Sequence, residues 1–109
     1  MRERDIEAYL VKRVKALGGE VRKVQWAGHK GAPDRLVMLP HDSRAFPPGN
    51  VLLNPPRTIW VELKRPGLKA TFPKDAHERA QHREHERMRA MGQRVEVIDS
   101  FEGVDEVLR

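Results

Sequence analysis

The chain has 109 residues, 21 Lys and Arg against 16 Asp and Glu, a net charge of +5 and no cysteine. That length suits one domain with a modest core, and the missing cysteines exclude a disulfide framework or a thiolate metal site. The charged start Met1-Arg2-Glu3-Arg4-Asp5 is unlike a signal peptide and no apolar run is long enough to span a membrane, so a soluble, intracellular protein is expected.

Residues 3–17 read as an amphipathic helix, with Ile6, Leu10, Val14 and Leu17 at helical spacing and Gly18-Gly19 as its stop. Residues 20–26 alternate around Val21 and Val24 and predict a first strand. A loop follows over 27–33. Residues 35–39 form a second strand, apolar enough to be buried on both faces. The stretch 40–57 holds Pro40, Pro47, Pro48, Pro55, Pro56 and Gly49 and predicts an irregular excursion between strands. The third strand spans 58–64 and ends at Arg65-Pro66-Gly67. Residues 75–91 predict a second helix capped by Asp75, with Glu78 completing a capping box. Residues 94–99 form a fourth strand, and Ser100 caps a short last helix. The order α-β-β-β-α-β-α is a mixed α/β layered domain over 1–109.

The charges at two strand ends carry the chemistry. Side chains two apart in a strand share a face, so Glu62 and Lys64 point one way while Leu63 points into the core. If Asp34, at the entry of the second strand, lies beside them, two carboxylates and an ammonium meet. Asp34, Glu62 and the backbone carbonyl of Leu63 are hard oxygen donors suited to Mg²⁺ or Mn²⁺. Such an ion serves phosphodiester hydrolysis. Lys64 would position or deprotonate water, or stabilise developing negative charge. The plain alternative is that Glu62 and Lys64 are solvated residues of an edge strand.

Supporting residues are read the same way. Glu7 lies on the apolar stripe of the first helix and either tops the core or faces the site. Gln81 shares a face with Met88 and Met91, so it leans toward the sheet, where it reaches a phosphate or bound water or is a boundary glutamine. Lys30, Arg35, Arg65, Lys69 and Lys74 flank the acidic residues and are candidate phosphate contacts, consistent with the basic charge of the chain. Trp26 and Trp60 either stack on a base or belong to the core or its boundary. His77, His82 and His85 sit among Arg and Glu and read as a solvated helix face rather than a zinc site.

Taken together, Glu7, Gly31-x-Pro33-Asp34, Glu62-Leu63-Lys64 and Gln81, in this order, resemble the VRR-NUC (virus-type replication-repair nuclease) family of the PD-(D/E)xK nuclease superfamily. The likeness runs from the first helix to Val95-Glu96-Val97. It implies a restriction-endonuclease-like mixed sheet flanked by helices and a metal-dependent endonuclease. In that reading Asp34 and Glu62 are metal ligands, Lys64 is catalytic, and Glu7 and Gln81 complete the catalytic set. Free-standing members of the family look like junction resolvases, which implies a homodimer cutting four-way (Holliday) junctions or similar branched DNA, in the cytoplasm of a bacterial host if the chain is viral. A flap or restriction-like endonuclease, or a non-catalytic nucleic-acid-binding module, is the alternative. The excursion over 40–57 departs from the tighter hairpin that the resemblance implies.

Overall fold

The computed structural model describes residues 1–41 and 55–109. The elements run α1 (Glu3–Ala16), β1 (Glu20–Lys23), β2 (Arg35–Leu39), β3 (Arg57–Leu63), α2 (Ala76–Ala90), β4 (Val95–Ile98) and α3 (Phe101–Val107). This is the expected α/β order. The strands form one mixed sheet in the order β1-β2-β3-β4. The pairs β1–β2 and β2–β3 are antiparallel, and β3–β4 is parallel through the α2 crossover. Most of the excursion expected over 40–57 lies outside the described residues, but the strands it joins pair in full, from Leu39 beside Arg57 to Arg35 beside Val61.

The two faces of the sheet differ in chemistry because β3 alternates. Ile59, Val61 and Leu63 are buried with Val37, Leu39 and Ile98 under Ile6, Leu10 and Val14 of α1 and Val104 and Val107 of α3. This is the apolar core, and its burial is the main stabilising term. Trp60, Glu62 and Lys64 face the other way, toward α2. Strand β2 is less enclosed than expected: Val37 and Leu39 are buried, while Leu36 and Met38 are half-buried. The single helix α2 does not cover all of that face of the sheet.

Local signals set the ends of the elements. Gly18, at φ +83°, takes the left-handed conformation that ends α1 without a Cβ penalty. The Asp75 side chain caps α2 by accepting from the Glu78 amide at 2.8 Å, and Ser100 caps α3 through the Gly103 amide. The capping box expected at Asp75 is not closed. Glu78 accepts from the Lys74 amide at 3.0 Å instead, because its carboxylate is drawn toward Lys64. Strand β1 stops short of Trp26. The last pairing on that side is the Val24 amide donating to the Asp34 carbonyl at 2.8 Å, after which the chain turns away into the glycine-containing loop.

Candidate active site

The described β2–β3 register ends with Leu36 beside Trp60 and Arg35 beside Val61; continued by one step, it would set Asp34 opposite Glu62. Directly opposed residues share a face, with Cβ atoms roughly 5 Å apart. Asp34 is exposed and Glu62 is half-buried. One step further would set Pro33 opposite Leu63. Proline has no N–H, so it cannot supply the ladder hydrogen bond that a residue there would give to the Leu63 carbonyl. The donor set of two carboxylates and this carbonyl is all hard oxygen, which fits Mg²⁺ or Mn²⁺ rather than zinc. Among the described residues no cluster of three or more His, Cys, Asp or Glu is arranged to hold an ion. Any such site would rest on the carboxylate pair and backbone oxygen.

Gly31 makes room for this arrangement. Its φ is +85°, and a Cβ there would lie 2.9 Å from the Ala80 carbonyl oxygen and 3.0 Å from the Gln81 Cα. The loop before Asp34 therefore runs against the backbone of α2, beside Gln81. A side chain would push that loop away.

Lys64 is buried in a polar cage. Its Nζ donates to Gln81 Oε1 at 2.7 Å and lies 3.1 Å from Glu78 Oε2, with the Phe72 ring centroid 5.1 Å away. Burial pushes the Glu78 carboxyl up, but the Lys74 amide and the Lys64 ammonium outweigh it, and the net direction is down. His85 is completely buried, against the expectation of a solvated helix face. Its ring stacks on Phe72 at 5.7 Å, and Nε2 lies 3.4 Å from Glu62 Oε1. Glu78 and Glu84 of the same helix are also buried. Glu84 accepts from Arg87 at 2.8 Å. Met91, expected to lean toward the sheet, is 72% exposed, because α2 has ended before it.

Sequence reading thus missed Glu78, His85 and Phe72. A signal for two of them existed. Glu78, Gln81, His85 and Met88 recur at spacings of three, four and three, a single helix face. Extending the stripe through Gln81 and Met88 in both directions finds them. Phe72 lies in a loop, where no periodicity points to its partner.

Glu7 does not touch Glu62 or Lys64 in any described hydrogen bond or ion pair. Arg35 joins it to the site. Arg35 leans to the α1 face, where its Nη2 donates to Glu7 Oε2 at 2.7 Å, while Nη1 lies 2.9 Å from Asp34 Oδ1. Desolvation lowers the Arg35 pKa, but the two carboxylates outweigh it and hold the guanidinium charged. Arg35 was expected to contact phosphate. Its guanidinium is instead engaged by two carboxylates. Lys30, Arg65, Lys69 and Lys74 are exposed around the site. The Lys69 amide donates to Asp99 Oδ2 at 3.0 Å, tying the basic loop to the end of β4. Trp26 and Trp60 are boundary residues, half-buried, with ring centroids 5.1 Å apart.

Comparison with known proteins bears on the fold and the family. No family model matches the chain. A curated relative named as a nuclease, p44 of Acyrthosiphon pisum secondary endosymbiont phage 1, is 38% identical over 100 residues, covering 92% of this chain and 85% of the relative. A solved structure described as a VRR_NUC domain is 33% identical, with a TM-score of 0.66, over 97% of this chain and 92% of that one. The fold and its relatives define a nuclease, a hydrolase acting on nucleic acid. The chain belongs to the VRR-NUC family.

Proposed function

We propose that residues 1–109 act as one Mg²⁺- or Mn²⁺-dependent endonuclease domain that hydrolyses DNA phosphodiesters. The reading is supported by the β2–β3 register, which ends at Arg35 beside Val61 and, continued by one step, would set Asp34 opposite Glu62, with Lys64 two residues further along β3. Asp34, Glu62 and the Leu63 carbonyl would hold the ion. When bound, it would neutralise phosphate charge and make water a better nucleophile.

The chain's own residues do the rest. A lysine ammonium has three donors, and Gln81 and Glu78 engage two of them. The third is left for the phosphate or the attacking water. Gln81 fixes Lys64 and offers its own amide N–H groups to the same place. Glu7 acts through Arg35, which orients Asp34. Lys30, Arg65, Lys69 and Lys74 bind neighbouring phosphates and position the strand without reading its sequence.

The concrete form we favour is a homodimer acting on four-way or similar branched DNA in the cytoplasm of a bacterial host. Its support is geometric: one small basic domain has little surface to enclose a branch, and a two-fold axis presents two sites to two strands. The test incubates labelled four-way junction, flap, duplex and single-stranded DNA with Mg²⁺, Mn²⁺ or EDTA. We expect metal-dependent cutting, strongest on the junction, and a dimer on sizing. Asp34→Asn and Lys64→Ala should abolish cutting and leave junction binding. Equal cutting by both variants would overturn the site, and a flap preference would replace the junction reading. Binding without cutting would identify a non-catalytic module.

A further inference from the structure

A second feature sits on the same sheet face as the carboxylate pair. Between β3, the loop before Asp34 and the end of α2 lies a groove of about 370 Å³, lined by Trp26, His29, Trp60, Met88, Met91 and Gln93. Both indole N–H groups are already bonded. Trp26 Nε1 donates to the Pro33 carbonyl at 2.8 Å, and Trp60 Nε1 to Gln93 Oε1 at 3.2 Å. The rings are therefore held in place and offer apolar faces. His29 meets Trp26 edge-on at 6.2 Å.

The lining selects against phosphate. It contains no Lys or Arg, and its remaining member is the Glu84 carboxylate, which Arg87 holds at 2.8 Å. A groove of this size also does not suit a second copy of the chain, because a stable dimer buries roughly 800 Å² per partner, more than the mouth of a 370 Å³ groove offers. The volume is that of a small-ligand pocket. A flat, neutral aromatic ligand suits the groove.

Position identifies it. Trp60 precedes Glu62 by two residues on one face, a rise of about 7 Å. Trp26 is bonded to Pro33, the residue before Asp34. The groove thus borders the proposed cleavage site at about the reach of a nucleotide. In a duplex, base faces are covered by their neighbours, so only an unstacked base can enter. We propose that an unpaired nucleobase next to the scissile phosphate docks on the Trp26–Trp60 surface, so that the nuclease selects DNA with unpaired nucleotides at the cut. This rests on the catalytic reading above for its position.

The test walks a single abasic site through the nucleotides flanking the cut of a branched substrate. Affinity is measured in EDTA, with tryptophan fluorescence as a second readout, and cleavage is measured in Mg²⁺. Base stacking contributes about 1–3 kcal/mol, so one abasic position should weaken binding about 5- to 150-fold and lessen the fluorescence change. Met91→Asp, at an exposed position that should not unfold the chain, should reproduce the loss for the intact substrate and make the abasic position indifferent. If wild type cuts but no abasic position alters affinity by more than twofold, the inference is overturned and the nuclease reading stands. If wild type does not cut but the abasic effect and fluorescence change persist, the base site stands and the catalytic reading fails. If Met91→Asp converts a dimer to a monomer and leaves the abasic effect intact, the groove is a subunit contact and the inference is overturned.

Discussion

His85 Nε2 lies 3.4 Å from Glu62 Oε1, inside a helix–sheet interface that hides the imidazole completely from solvent. Its Nδ1 has no hydrogen-bond partner among the described residues. The ring is fixed by packing on Phe72 and by Glu62 alone. In the proposed site Glu62 is a metal ligand, and a group that orients such a ligand typically matters 10- to 100-fold. His85→Phe keeps the ring and removes the bond. We expect it to lower the cleavage rate by about that factor with a small change in melting temperature. Unchanged turnover in a folded variant would show that His85 only fills space.

Glu78 and Lys64 form a buried pair at 3.1 Å. Removing one partner of such a pair leaves an uncompensated charge and costs about 3–5 kcal/mol. Glu78→Ala should show a loss of that order by denaturant unfolding, together with weaker activity as Lys64 loses its anchor. Glu78→Gln keeps hydrogen bonding and should lose less stability. Equal stability of Glu78→Ala and wild type would show that the pair contributes nothing.

Acid should loosen the same corner. Glu78 is held below its ordinary value of 4.5, so its folded carboxyl binds protons less readily than its unfolded one. Its contribution is complete above about 4.5 and is lost as pH falls through the lowered folded value. Asp75 shifts the same way, first through its bond from the Glu78 amide. Unfolding measured from pH 7 downward should show stability falling below about 4.5, and Glu78→Gln should flatten that fall. An identical pH profile for the two proteins would refute the assignment.

Gly31 and Gly67 form a matched pair of tests. Both have positive φ, but a Cβ at Gly67 meets nothing within 4 Å, whereas at Gly31 it meets the Ala80 carbonyl oxygen at 2.9 Å. Backbone strain alone costs about 1–3 kcal/mol. Gly67→Ala should show that cost and keep its activity. Gly31→Ala should lose more stability and also displace Asp34, cutting activity further than its melting temperature accounts for. Equal effects at the two positions would mean that the loop does not lean on α2.

The shared face of Glu62 and Lys64 was legible because strand periodicity is strict. Ile59, Val61 and Leu63 alternate with Trp60, Glu62 and Lys64, which fixes which residues share a face. Asp34 was singled out by its place at a strand entry, but strand periodicity does not give the register that would bring it to Glu62. Helix α2 was legible in extent but not in which face is buried. Its stripe of Glu78, Gln81, His85 and Met88 carries a single apolar residue, so hydrophobic patterning gave no sign that these polar groups are buried. Their burial comes from contacts with Lys64, Glu62 and Phe72, which are remote along the chain. The Arg35 pairing was hidden for the same reason: Glu7 is 28 residues away.

Arg35 joins Glu7 of α1 to Asp34 at the entry of β2. The opening turns of α1 and the entry of β2 are thereby fastened to each other. A disturbance at the amino-terminal helix, far in sequence from any reacting atom, would be felt first in the aim of Asp34.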